Sequence, residues 1–267
     1  VVELIFDLNK ESAVEISVEL IGILFVVAMI AGFIDALAGG GGLITIPALL
    51  MTGMPPAMAL GTNKLQSCGG SFSASLYFIR RKAVDLGAIW FILLCTFTGS
   101  AIGSVLIQLV DSSLIKKAIP FLVLAVGLYF LLTPKLGEED RRQRLSFRTF
   151  ALTAAFGLGF YDGFFGPGTG SILSLVFVTL LGFNLTKATA YAKVLNFTSN
   201  IASLICFLIG GQIVWSVGIV MMCGQIVGAH LGAKMVLSKG KRLIRPMVVL
   251  MSFVMTAKMA YEQGWFG

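Results

Sequence analysis

The sequence predicts an all-α polytopic membrane protein made of two inverted repeats of about five helical segments each. Three observations carry that prediction: charge is scarce, ten apolar segments follow one another, and a set of residues recurs at a nearly constant offset. Of 267 residues, 57% are hydrophobic and 12% are charged, and the mean hydropathy is +0.93. A soluble domain carries about twice that share of charge. At about 20 apolar residues per span, the chain holds roughly ten membrane helices and leaves no room for a soluble domain. The composition excludes a cytosolic enzyme, a disordered tail, a nucleic-acid binder and a disulfide scaffold. The net charge of +7 fits Lys and Arg kept in cytoplasmic loops.

The apolar segments, punctuated by Gly, Pro and charge, are 18–38, 43–53, 57–79, 86–110, 115–133, 149–165, 171–182, 186–209, 213–237 and 243–262. Ahead of the first lies an acidic stretch (Glu3, Asp7, Glu11, Glu15, Glu19), for which a short interfacial helix and a frayed end both stay open. The first segment is too long for a signal peptide and lacks a basic leader. The segments at 43–53 and 171–182 reach only about 17 Å as helices, against a hydrocarbon core of about 30 Å. They read as half-helices or re-entrant loops. The longest hydrophilic stretch falls mid-chain and divides it into an N-terminal repeat (1–133), a basic cytoplasmic linker (134–148) and a C-terminal repeat (149–267).

The duplication is visible residue by residue. Gly32-Phe33-Ile34-Asp35 returns as Gly159-Phe160-Tyr161-Asp162, and the cluster Gly39–Gly42 is echoed by Gly166-Pro167-Gly168-Thr169-Gly170. Gly53 matches Gly182, Lys64 matches Lys193, Pro120 matches Pro246, and Gly99 and Gly103 align with Gly224 and Gly228. Five segments per half is an odd number, so the second copy inserts upside down. Loop charge agrees: Arg80-Arg81-Lys82, the linker and Lys239-Gly240-Lys241-Arg242 all fall in the cytoplasm, with both termini outside. Lys116 and Lys117 count against this unless they snorkel from a helix start. If the short segments turn back, the alternative is four crossings per half and parallel repeats.

Of thirteen acidic residues, only Asp35 and Asp162 lie deep in apolar segments, at matched positions. A mid-bilayer carboxylate costs at least about 2.5–3.5 kcal/mol on insertion scales. Two roles stay open for the pair: coupling carboxylates lining a polar cavity, or caps for the amides of the following loop. Lys64 and Lys193 are the matching cations, each needing an acid across the repeat interface or a bound anion as partner. Asn63, Ser67 and Ser71 share a helix face around the first, as do Asn196 and Asn200 around the second. The glycine clusters put non-helical backbone inside the membrane, where only protein or a wet cavity can satisfy it. Amides of Gly39, Gly40, Gly41, Gly42, Gly166, Gly168, Thr169 and Gly170, at the positive ends of the following helices, suit an anion. This broken-helix pattern marks binding sites in inverted-repeat transporters.

Other chemistry is not supported. Gly39–Gly42 lacks the Gly-Lys-Ser/Thr of a phosphate loop. His230, the single histidine, has no companion ligands, so no metal is expected, and no cofactor. Cys68, Cys95, Cys206 and Cys223 read as packing residues. No catalytic constellation suggests an enzyme.

The stretch Gly32–Gly42, followed by Ile46-Pro47 and Leu60-Gly61-Thr62-Asn63-Lys64, resembles the TauE/SafE sulfite-exporter family, also known as the 4-toluene sulfonate uptake family. Gly159–Gly168 fits the same pattern, the likeness covers nearly the whole chain, and it is nearest to the YfcA-like branch. The resemblance implies a multi-pass permease of the bacterial inner membrane that moves small sulfur-containing anions such as sulfite, sulfoacetate or sulfonates, coupled to protons. On that expectation the partners are a small anionic substrate, protons and the lipid bilayer, with no nucleic acid. Asn63, Lys64, Ser67, Lys193, Asn196, Asn200 and the glycine clusters would bind the anion, and Asp35 or Asp162 would carry the proton.

Overall fold

The computed structural model describes residues 18–109, 128, 132 and 138–262. The acidic stretch before residue 18 and nearly all of the fifth expected segment, with Lys116, Lys117 and Pro120, lie outside the described residues. The helices are α1 (Val18–Ala38), α2 (Gly42–Leu50), α3 (Pro56–Arg80) and α4 (Leu86–Leu109). After the linker come α5 (Phe147–Phe150), a π-helical turn (Ala151–Ala155), α6 (Phe156–Phe164) and α7 (Thr169–Leu181). Then follow α8 (Leu185–Ile209), α9 (Trp215–Lys239) and α10 (Lys241–Glu262). No strand occurs among the described residues.

Local chemistry sets the ends of these helices. Pro55 and Pro56 open α3, where a missing N–H costs nothing. Asn184 caps α8 by accepting the Lys187 N–H at 2.9 Å. Gly182 ends α7 in the left-handed region at φ 74°. Four helices, α1, α4, α8 and α9, are long and apolar enough to cross a membrane. α3 is as long as α8, at 25 residues, but spends its length on polar side chains that face inward.

The side-chain distribution is that of a protein solvated by lipid. Ile23, Trp90, Leu94, Ile102, Leu152, Ile209 and Leu250 are more than half exposed, while Asn63, Lys64, Gln66, Asp162, Lys193, Ser199 and Asn200 are buried. In water this arrangement would leave a large apolar surface uncovered.

The two short helices turn back on their predecessors. Leu49, at the end of α2, packs in one cluster with Leu24 and Ala28 from the first half of α1, together with Met54 and Ala59. Likewise Phe177 of α7 packs at a tilt against Phe150 of α5 with ring centroids 5.0 Å apart, and Arg144 N–H donates to Leu180 O at 3.0 Å. α1–α2 and α5–α6–α7 are therefore helical hairpins. Their tips meet: a Cβ on Gly39 would lie 2.3 Å from the Gly170 carbonyl carbon, and Ser171 Oγ–H donates to Ala38 O.

Glycines let the hairpins approach the long helices. On α9, a Cβ at Gly228 would sit 1.8 Å from Met29 O of α1, and one at Gly232 would sit 2.6 Å from Phe33 O. On α4, the equivalents at Gly99 and Gly103 would lie 2.2 Å from Phe156 O and Phe160 O of α6. Since Met29 and Phe33 correspond to Phe156 and Phe160, the spatial partners are Gly99 with Gly228 and Gly103 with Gly232. The glycines recur every four residues, so aligning them by identity alone slips one helical turn. The same exchange occurs at the helix entrances: Val214 N–H donates to Thr62 Oγ1 at 3.0 Å, and Asp85 N–H donates to Tyr191 Oη at 3.0 Å. Among the described residues, α1 and α3 of the first half thus lean on α9, and α4 on α6 and α8.

Candidate functional site

The hairpin tips and the midsections of α3 and α8 enclose a small polar centre. Lys64 of α3 reaches Asp162 of α6: its Nζ lies 3.1 Å from Asp162 Oδ2 and donates to Asp162 O at 2.6 Å and to Asn200 Oδ1 at 3.3 Å. Lys193 of α8 reaches Asp35 of α1, with Nζ 2.8 Å from Oδ2. Each lysine is therefore held by the acid of the other half. Such burial of two charges in a dry interior is tolerable only because each ion is paired and hydrogen-bonded.

The surrounding amides and hydroxyls complete the network. Asp35 Oδ1 accepts the Gly41 N–H at 3.1 Å, so this carboxylate also caps the turn entering α2. Coupling and capping, both open from the sequence, are geometrically compatible in Asp35. Asp162 Oδ2 instead accepts Ser199 Oγ–H at 2.5 Å. Asn63 Oδ1 accepts Thr45 Oγ1–H at 2.6 Å and Gln66 Nε2–H at 2.9 Å. Asn200 Nδ2 donates to Asn196 Oδ1 at 3.1 Å. A cavity of about 20 Å³ lies among these groups, room for about one water molecule.

Asp35, Gly39, Gly42, Asn63, Lys64 and Ser67 line that cavity from the first half, and Asp162, Gly166, Gly170, Asn196 and Asn200 line it from the second. Lys193 stands at its edge, its Nζ 3.2 Å from where a Gly170 Cβ would be. Gly40 and Gly41 lie in the α1–α2 turn, and Gly168, at φ 78°, caps α7; none of the three reaches the cavity. Thr169 Oγ1–H is spent on Gly166 O at 2.8 Å. Positive φ at Gly39 (74°) and Gly166 (86°) turns the backbone at matching points, a conformation that a Cβ penalises.

Sequence reasoning missed Thr45, Gln66 and Ser199. Ser199 follows Asn196 by three residues and so shares its face, the same step that joins Lys193 to Asn196. Thr45 is the single polar side chain inside α2. His230 packs edge-on against Tyr77, with ring centroids 5.2 Å apart. Cys68, Cys95, Cys206 and Cys223 are all unpaired thiols. Among the described residues no group of His, Cys, Asp or Glu could hold a metal ion.

Apolar helices around a buried, charged and broken-helix centre define a helical membrane protein of the transporter class. The chain belongs to the sulfite exporter TauE/SafE family, whose model matches residues 24–259. It is 69% identical over 252 residues to a "Probable membrane transporter protein" of Haemophilus influenzae, covering 94% of this chain and 99% of the relative. It is 58% identical over 243 residues to the "Probable membrane transporter protein YfcA" of Escherichia coli K12, covering 91% and 90% of the two chains. The "Probable membrane transporter protein YunE" of Bacillus subtilis is 27% identical over 238 residues, covering 79% of this chain and 86% of the relative. No solved structure matches significantly.

Proposed function

We propose that this protein is a multi-pass secondary transporter of the bacterial inner membrane that carries small, sulfur-containing anions such as sulfite, sulfoacetate or organosulfonates, coupled to protons. The observation that carries this reading is the pair of ion pairs exchanged between the halves at the meeting point of two hairpins. A lysine at that depth holds charge that a small anion can share, and a carboxylate beside it can take a proton. Polar groups, not apolar packing, surround Lys64, which weighs against a purely structural membrane scaffold. Enzymatic chemistry has no support in the centre.

The reading includes two inverted repeats, domains 1–133 and 149–267, joined by the cytoplasmic linker. A hairpin that turns back removes two crossings from its half, not one. Each half then keeps three crossings, an odd number, and the second half remains inverted. This count favours inverted repeats over the parallel alternative of four crossings per half. Arg80–Lys82, the linker and Lys239–Arg242 stay on one side, as the positive-inside rule asks. The hairpins would enter from opposite faces and meet near the midplane, as in other inverted-repeat carriers.

Flux into proteoliposomes tests the proposal. With purified protein and labelled sulfite, an imposed pH step drives accumulation above the equilibrium level, and Lys64→Ala and Lys193→Ala each abolish it. Sulfite that merely equilibrates identifies a passive channel; unchanged accumulation in both variants removes the lysines from the mechanism.

A further inference from the structure

We infer that the two ion pairs have diverged in role: Lys193–Asp35 is the pair that opens, Asp35 taking up a proton as an anion takes its place on Lys193, while Lys64–Asp162 stays closed and holds the two halves together. This deepens the anion-carrier reading above and rests on it for the identity of the anion.

The divergence is visible atom by atom. The Lys64 ammonium has three acceptors, Asp162 Oδ2, Asp162 O and Asn200 Oδ1, which matches its three protons. Lys193, equally buried, donates among the described residues to Asp35 Oδ2 alone, so its ammonium keeps donor capacity for a ligand. The acids differ in the same sense. The Asp162 side chain is 3% exposed and receives both Lys64 and the Ser199 hydroxyl. The Asp35 side chain is 16% exposed, so protein does not seal it as it seals Asp162. Its other oxygen holds the Gly41 N–H, which ties its charge state to the turn into α2. Among the described residues no hydrogen bond ties the Asp162 carboxylate to Gly168.

The cavity supplies the reason a pair must open. At about 20 Å³ it holds one water, whereas sulfite has four heavy atoms and needs several times that space. An anion can enter only by displacing something from a lysine, and Asp35 is the more exposed of the two acids, paired with the lysine that has the fewer acceptors. The step balances simply. Asp35 carboxylate accepts one proton from water on the open side, Lys193 remains an ammonium, and the anion replaces the carboxylate as its counter-ion. Release on the other side reverses both. The charged groups around Asp35 are Lys193 of α8, Lys64 of α3 and Asp162 of α6; α2 and α7 bring none. On the helices packed outside α1, His230, Lys234 and Lys239 of α9 and Arg242 of α10 are exposed.

Infrared difference spectroscopy of the purified full chain tests this without any flux. On acidification, a poorly hydrated protonated-carboxyl band is expected in the wild type. It is expected to vanish in Asp35→Asn and to persist in Asp162→Asn. Should Asp162→Asn fail to fold, Ser199→Ala serves instead and keeps the band. A band that survives Asp35→Asn, or that is missing from the wild type, overturns the assignment. Adding sulfite at fixed pH is expected to raise the same band. If acidification gives the band but sulfite does not, the division of roles stands and the anion reading fails, so the two are separable.

Discussion

At the scale of the residue, the decisive fact is that Lys64, Lys193, Asp35 and Asp162 each have an opposite partner from the other half of the chain. Their importance was legible in the sequence, because an ion in lipid is costly enough to stand out. Their pairing was not: the sequence offered each lysine an acid or a bound anion, and only the fold decides. Removing one member of a closed pair leaves the other uncompensated. Asp162→Ala is accordingly expected to lower stability by about 3–5 kcal/mol, read from unfolding in detergent, because it strands the Lys64 ammonium. The double change Lys64→Met with Asp162→Leu should recover much of that loss, since no buried charge is left behind. A single variant as stable as the wild type would mean that Lys64 finds another counter-ion. Ser199 shows why some of the centre stayed hidden. A serine in a membrane helix ordinarily bonds its own backbone, as Ser199 also does to Asn196 O at 3.0 Å, so its second bond to Asp162 has no sequence signature.

At the scale of the element, the helix boundaries expected from apolarity fall within a few residues of those observed, because the breaks are chemical: Pro55-Pro56, Gly182, Asn184 and Gly240. The direction of α2 and α7 could not be read the same way. A run of 9 or 13 residues is too short to cross, but its length does not say whether it continues or reverses. Reversal depends on Gly39 and Gly166, where positive φ bends the chain, and on partners such as Leu24 for Leu49 that lie far away in sequence. Gly39→Ala meets two obstacles, a left-handed backbone that costs an alanine roughly 1–2 kcal/mol and the Gly170 backbone 2.3 Å from its Cβ. It should sharply reduce the yield of monodisperse folded protein. Gly22→Ala is the control, as a Cβ there meets nothing within 4 Å, and the gain in helix propensity should leave stability equal or slightly higher. Equal yields from the two would show that the hairpin tips do not touch.

At the scale of the whole molecule, contacts are traded between halves: α1 lies on α9 while α6 lies on α4, and the helix entrances borrow Thr62 and Tyr191 from each other's half. Neither half closes a centre by itself. The series of matched residues was legible in the sequence, and the spatial exchange was not, since it depends on which helix of the other half each one meets. This architecture gathers two lysines, two aspartates and two glycine turns into one place, and the account stands on what that place holds. Equilibrium binding of labelled sulfite to the purified protein is the most direct test. Saturable binding to the wild type is expected, and its loss in Lys193→Ala, with that variant still folded as judged by its unfolding transition. Undiminished sulfite binding by a folded Lys193→Ala protein would contradict it.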